Sequence, residues 1–154
     1  MLTISAETLI AHEGKGIAAF CDGGYTDASF NHCAHFVSHV MGFTFGFTCQ
    51  GMTGKGTSPA CIRVHDLFAR CPLVGAWEDF PGGACLAFIT GTGNVHLNQK
   101  RMDNVPRKHV GIHVEGKIWH YSNTRDVVVS QKPEVFARHY GSKGYSVFYG
   151  TFPG

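Results

Sequence analysis

Charge is scarce in this chain. Asp, Glu, Lys and Arg supply 16% of its 154 residues, and the formal net charge is +2 with the histidines neutral. Such a balance leaves no electrostatic footprint for a polyanion, so neither a nucleic acid nor an anionic membrane surface is an expected partner. No apolar run approaches the roughly 18 residues that a membrane span requires. The opening stretch MLTISAETLIAHEGKG lacks a basic segment followed by an apolar core. The expectation is a protein made in the cytoplasm without a signal peptide, which would reach a cell wall only through a dedicated secretion system. Paired cysteines are missing too. The six cysteines, at 21, 33, 49, 61, 71 and 85, include no CxxC, which speaks against a zinc ribbon or a dithiol redox motif. Scattered reduced thiols fit a cytosolic fold that needs no disulfide at this size.

What is present is an apolar fraction of 44% and ten histidines. The first is enough for a core, and the length reads as a single domain over 1–154. The second makes the charge sensitive to pH between about 6 and 7. Ser5 is placed to cap a helix over 6–13, and 31–42 reads as a second helix. Residues 43–47 read as a short strand, 50–59 as a surface loop, and Ser58 with Pro59 as the opening of a third helix that ends near Pro72. Beyond Pro81-Gly82-Gly83 the pattern changes. A buried strand over 84–90 and a long polar loop over 91–107 precede three short strands at 109–115, 117–122 and 127–131. A helix from Pro133 to about His139 and a strand over 145–152 close the chain. Helices first and an antiparallel meander second make an α+β fold.

Residues 31–42, Asn-His-Cys-Ala-His-Phe-Val-Ser-His-Val-Met-Gly, place a cysteine in the first turn of a helix. Asn31 is a good N-cap and Gly42 suits the left-handed C-terminal stop. Cys33, Phe36, Val37, Val40 and Met41 share one face; His35, Ser38 and His39 share the other. The helix macrodipole favours the Cys33 thiolate there, whereas the plainer alternative makes Cys33 a small core hydrophobe.

The stretch 108–122 bears on that choice. His109, Gly111 and His113 point to one side of a strand, with Val110, Ile112 and Val114 on the other. If Glu115-Gly116 is a two-residue turn, Val114 pairs with Lys117 and Gly111 with His120. His120 then lies diagonal to His109 at about 7 Å or less between β-carbons, with Gly111 leaving the space between them open. A turn one residue longer would send His120 to the other face. A nucleophilic Cys33, a base His109 and an orienting His120 make a Cys–His–His set, with Asn123 as the alternative orienting group.

The order of these motifs resembles the NlpC-type papain-fold peptidases of bacteria. A helix-initial cysteine comes first, then Gly83-Ala84-Cys85-Leu86-Ala87-Phe88, then HVGIHVEGKIWHYS. The likeness covers roughly residues 25–152. It implies a nucleophile helix packed on a central antiparallel sheet and cleavage of amide bonds in peptidoglycan stem peptides through an acyl-enzyme. Cys33, His109 and His120 would be the catalytic residues, and no cofactor is implied. Backbone N–H groups at the Cys33 helix terminus would hold the oxyanion, and Tyr25 would be the tyrosine beside the nucleophile that binds substrate. The size resembles that of stand-alone amidase effectors of type VI secretion, for which a cognate immunity protein would be the partner. The family's Asp and Ser-Gly around the cysteine are here His32 and Ala34-His35, so its usual substrate recognition does not transfer.

Two other readings stand beside this one. NHCAHFV resembles the Asn-Cys-Glu-His-Phe-Val of the lecithin:retinol acyltransferase group, which implies a lipid acyltransferase or thioesterase. In that group, however, the histidines precede the cysteine. Alternatively, His32, His35 and His39 with Cys33 form a metal site in a non-enzymatic module. Against it, the helix face that carries them reads as solvated, and the glutamate of HEXXH is missing. His12, His65, His96, His113 and His139 read as structural, and the loops over 50–59 and 91–107 as the walls of a cleft.

Overall fold

The computed structural model describes residues 4–154. In chain order the elements are α1 (Ala6–His12), α2 (Cys33–Met41), α3 (Cys49–Thr53), α4 (Val64–Arg70), β1 (Val74–Ala76), β2 (Cys85–Gly91), β3 (Val95–His96), β4 (Arg101–Met102), β5 (His109–Val114), β6 (Lys117–Ser122), β7 (Val127–Gln131), α5 (Pro133–Phe136) and β8 (Tyr145–Gly150). Six strands form one sheet in the order β1-β8-β2-β5-β6-β7, every neighbouring pair antiparallel. The remaining two, β3 and β4, make a short ribbon inside the long polar loop. The fold is α+β, and no helix among the described residues is long and apolar enough to cross a membrane.

Strand alternation sorts the sheet into two faces. Leu86, Phe88, Val110, Ile112, Trp119 and Tyr121 pack against Phe36 and Val37 of α2 and Leu67 and Phe68 of α4. Ala87, Ile89 and Ile118 pack beneath Phe136 of α5. His109 and His120 follow the parity of the second set. The register that puts them there comes from the β5–β6 turn, where Val114 faces Lys117 and Ile112 faces Trp119. Glu115 at φ 49° and Gly116 at φ 80° both take left-handed backbone, as a two-residue hairpin turn with the twist of its strands requires. Far from the turn, the Tyr121 hydroxyl accepts the Ile17 N–H at 2.9 Å and donates to Asp126, tying the N-terminal segment to the sheet.

Several local expectations are corrected. Ser5 does cap α1, accepting the Thr8 N–H at 3.2 Å. The cap of α2, however, is His32 by backbone position, with Asn31 one residue further out accepting the Cys33 N–H at 3.0 Å. Residues 43–47 form no strand. Gly46 turns left-handed at φ 67°, and the Phe47 N–H is taken by Asp66 at 3.3 Å. Part of the expected loop over 50–59 is α3, capped by Thr48 Oγ1 on the Gly51 N–H and stopped by left-handed Gly54. Pro59 does not open a helix. The Cys49 N–H donates to the Ala60 carbonyl and the Cys61 N–H to the Phe43 carbonyl, which holds 59–63 extended until α4 begins at Val64. Short β1, at the sheet edge, carries too few residues to show a period.

Candidate active site

The hairpin delivers the histidine pair. His109 Nε2 and His120 Nδ1 are 2.8 Å apart, with the rings at 87°, and His120 Nε2 lies 2.8 Å from Gln131 Oε1 on β7. These contacts fix the tautomers. The amide oxygen of Gln131 can only accept, so His120 carries its proton on Nε2 and presents a bare Nδ1. His109 must then donate from Nε2, and its own proton-free nitrogen is Nδ1. That atom is fully buried and has no hydrogen-bond partner among the described residues. Burial lowers His109 well below its ordinary value, helped by neighbouring His120 and His139, and burial takes His120 down to about 4. Both rings are neutral at pH 7. The relay therefore ends in an unengaged lone pair, which is what a base waiting for a proton presents.

Cys33 comes to the same strand end. Its Sγ lies 3.9 Å from the carbonyl oxygen of Lys108, the residue directly before His109. Helix α2 is pinned there by packing on β5 and by Asn123, whose Oδ1 accepts the His32 N–H at 2.9 Å while its Nδ2 donates to Asn31. The thiol gives its bond to that carbonyl, and no hydrogen bond joins it to His109. Cys33 packs with the α2 face of the sheet, whereas the His109 ring packs on Phe136 and His139 at the α5 face, so the expected contact between thiol and base is not made in this structure. The expectation of a thiolate is overturned. Cys33 is 0% exposed, and burial pushes its thiol up to about 11. A helix dipole worth about 1 kcal/mol does not offset removal from water. The Cys33 N–H, expected to await an oxyanion, is engaged by Asn31 Oδ1.

Two members of the array were not legible as such. Gln131 holds His120, and it is His120 that pairs with His109; Asn123, the alternative considered for orienting His109, instead anchors the entry to α2. His139 stacks on His109 with ring centroids 4.0 Å apart and planes 8° from parallel, so it is no bystander. Its only sequence signal was a place near a helix behind Pro133. His113 shares the strand face but turns to the Gly83 carbonyl at 3.1 Å, and His96 pairs with Asp103. Tyr25 stacks on Phe30 and meets His32 and His35 edge-on. No family model, curated protein or solved structure matches this chain.

Beside the strand end is a cavity of about 170 Å³ lined by Asn31, Arg63, His65, Asn104, Arg107 and Lys108, among others. It adjoins the residues that flank Cys33 and His109 and carries three cationic side chains. A much roomier cavity, lined by Met41, Phe43, Phe45 and Phe152, opens at the opposite end of α2.

Gly111 holds the two rings at their spacing. A β-carbon there would meet Ile118 Cγ2 at 2.6 Å, the Trp119 carbonyl at 2.9 Å and His120 Cβ at 3.0 Å. Gly111→Ala is expected to destabilise the protein by about 1–3 kcal/mol, read as a lowered urea midpoint. It should also shift the His120 ring resonances.

Proposed function

We propose that this protein is a cysteine amidase of the NlpC kind, in which Cys33 attacks an amide carbonyl of a peptidoglycan stem peptide. His109 Nδ1 takes the thiol proton, and His120, held by Gln131, keeps His109 in the tautomer that can do so. The observation that carries this reading is the lone, buried, unprotonated Nδ1 of His109, one residue from the carbonyl that holds the Cys33 thiol. The resting site is closed. Turnover requires the strand end at Lys108–His109 to open so that the Cys33 S–H, now on the α2 face, leaves the Lys108 carbonyl and reaches His109 Nδ1 on the α5 face. It also requires the substrate carbonyl to displace Asn31 Oδ1 from the Cys33 N–H. The thiolate then adds to the carbon, and His109 returns the proton to the departing amine. Water resolves the acyl-enzyme with His109 again as base.

The chemistry of the neighbouring cleft supports the substrate class. Arg63, Arg107 and Lys108 suit the carboxylates of stem peptides, and the small cleft they line with Ile62, Val64 and Pro106 has no room for a long acyl chain. The apolar cavity lies about 12 Å along α2 from Cys33, at a rise of 1.5 Å per residue, which weighs against the lipid acyltransferase reading. Incubation of the full chain with purified sacculi is expected to release muropeptides with new amino and carboxyl termini, identified by mass spectrometry. Sacculi that stay intact, beside phospholipid that acylates Cys33, would overturn the assignment.

Gln131 is a positioning residue. Gln131→Ala leaves the His120 Nε2–H without its acceptor and frees the ring to change tautomer. The loss of one buried hydrogen bond, about 1–3 kcal/mol, should lower kcat by roughly ten- to hundredfold. KM should change little, and the acid limb of the pH–rate profile should move.

A further inference from the structure

The face of α2 turned away from the sheet holds a second set of soft donors that the Cys33–His109–His120 group does not use. It was expected to be solvated, with a possible site made by His32, His35, His39 and Cys33. Instead His35 is fully buried beneath the segment that precedes α2 and beneath α3. Cys33 projects to the other face, and the partners of His35 and His39 are Cys21 and Cys49. One donor atom from each of these four side chains lies within 4.8 Å of every other. His35 Nε2 and His39 Nε2 are 3.1 Å apart, and Cys49 Sγ is 3.7 Å from His39 Nε2. A tetrahedral zinc ion, with bonds of about 2.0–2.1 Å to nitrogen and about 2.3 Å to sulfur, has N–N edges of roughly 3.4 Å and N–S edges of roughly 3.6 Å. The cluster has that size.

The surroundings orient the donors inward. His32 Nε2 lies 2.8 Å from the Asp27 carbonyl, to which it can only donate. Its Nδ1 is therefore the acceptor for the Nδ1–H of His35, at 3.0 Å. That leaves His35 Nε2 as a bare lone pair aimed at the cluster. An imidazole anchored through its far nitrogen is the arrangement metal-bound histidines take. Donors reach both sulfurs: the Gly23 N–H is 3.4 Å from Cys21 Sγ, and N–H groups of Ala60 and Gln50 face Cys49. The Cys49 thiol also donates to the Ser58 carbonyl at 3.7 Å, a bond given up when the thiol loses its proton to bind a metal. Two thiolates would also neutralise a divalent cation, so the group can be buried without a net charge.

We propose that Cys21, His35, His39 and Cys49 bind one zinc ion in a closed structural site. Four protein ligands leave no open coordination position, so the ion serves to clamp the segment before α2 and the start of α3 onto the nucleophile helix. Three separate parts of the chain meet there: α2 is held by the main core, whereas the Cys21 segment before it and α3 pack in a small cluster of Cys21, Cys49 and Ala60 with Tyr25 and Ile62. The site does not depend on what Cys33 does.

The full chain, produced without a histidine tag in zinc-supplemented medium, is expected to carry about one equivalent of zinc by plasma mass spectrometry. Cobalt-loaded protein should show the visible absorption of tetrahedral Co(II) and a thiolate-to-cobalt charge-transfer band. Cys49→Ser and His39→Asn should lose the metal, while Cys33→Ala, altered on the opposite face, should keep it. His32→Ala, with all four ligands intact, should bind zinc about ten- to hundredfold more weakly in chelator competition. Folded wild-type protein without zinc overturns the proposal, and so does a Cys21–Cys49 disulfide in that protein. Undiminished zinc in both ligand variants, or a cobalt spectrum without thiolate charge transfer, would do the same. The wild-type stoichiometry and cobalt spectrum decide the matter even if a ligand variant fails to fold. Zinc present in a protein inert toward sacculi would leave this site standing and remove only the hydrolase reading.

Discussion

Cys33→Ala is expected to reduce the release of muropeptides from sacculi by at least about ten thousandfold, the scale on which enzymes lose turnover when the nucleophile of a linked set is removed. The fold should survive. Cys33 occupies a fully buried position in the main core, where alanine is apolar and smaller, and its sulfur donates one long bond, 3.9 Å to the Lys108 carbonyl. Circular dichroism and zinc content should therefore match those of the parent protein, which separates loss of chemistry from loss of structure. A variant that still digests sacculi at the parental rate would remove Cys33 from the reaction. His109 and His120 would then be a buried structural pair. The closed state of the site adds a second expectation within the same experiment. Thiol reagents should modify Cys33 slowly in the resting protein, because burial raises the thiol to about 11 and no solvent path reaches it, and faster when substrate opens the site.

Acid should destabilise the protein well before its carboxylates titrate. His120 protonates near 6.5 in the unfolded chain but at about 4 when folded, because burial disfavours its cation. Between those values the unfolded state binds more protons, so stability rises with pH. The contribution is whole above pH 6.5 and is lost as the pH falls through about 4. It amounts to roughly 3 kcal/mol from His120. His109 shifts in the same direction, and so does His139, which packs on it. The groups around these rings are Phe136 and Gln131, with no carboxylate among their contacts to stabilise a cation. Urea midpoints measured from pH 7.5 to 4.5 should fall steadily, and His120→Gln should flatten the slope while leaving zinc content unchanged. A profile with no slope in that range would mean that the histidine relay is not neutral in the folded protein.

The histidine pair could be read from sequence because its cause is local. Alternation over 109–114, a two-residue Glu115-Gly116 turn and the missing side chain of Gly111 together dictate one register, and that register alone puts His109 against His120. The same is true of the α+β order, of the Ser5 cap and of the Gly42 stop, each written within a few residues. Residues 43–47 and 58–63 misled because their backbone bonds go to distant partners, Asp66 in one case and Phe43 with Thr48 in the other.

Sequence by itself determined which residues could pair across one hairpin, since a strand of period two and a turn of known length leave no freedom. Tertiary structure alone decided whether Cys33 meets water, which amide oxygen anchors the relay, and that His35 and His39 face two cysteines instead of solvent. Those outcomes depend on how segments far apart in the chain cover one another. Burial, and with it the charge state of a thiol or an imidazole, belongs to the packed assembly and not to any stretch of residues.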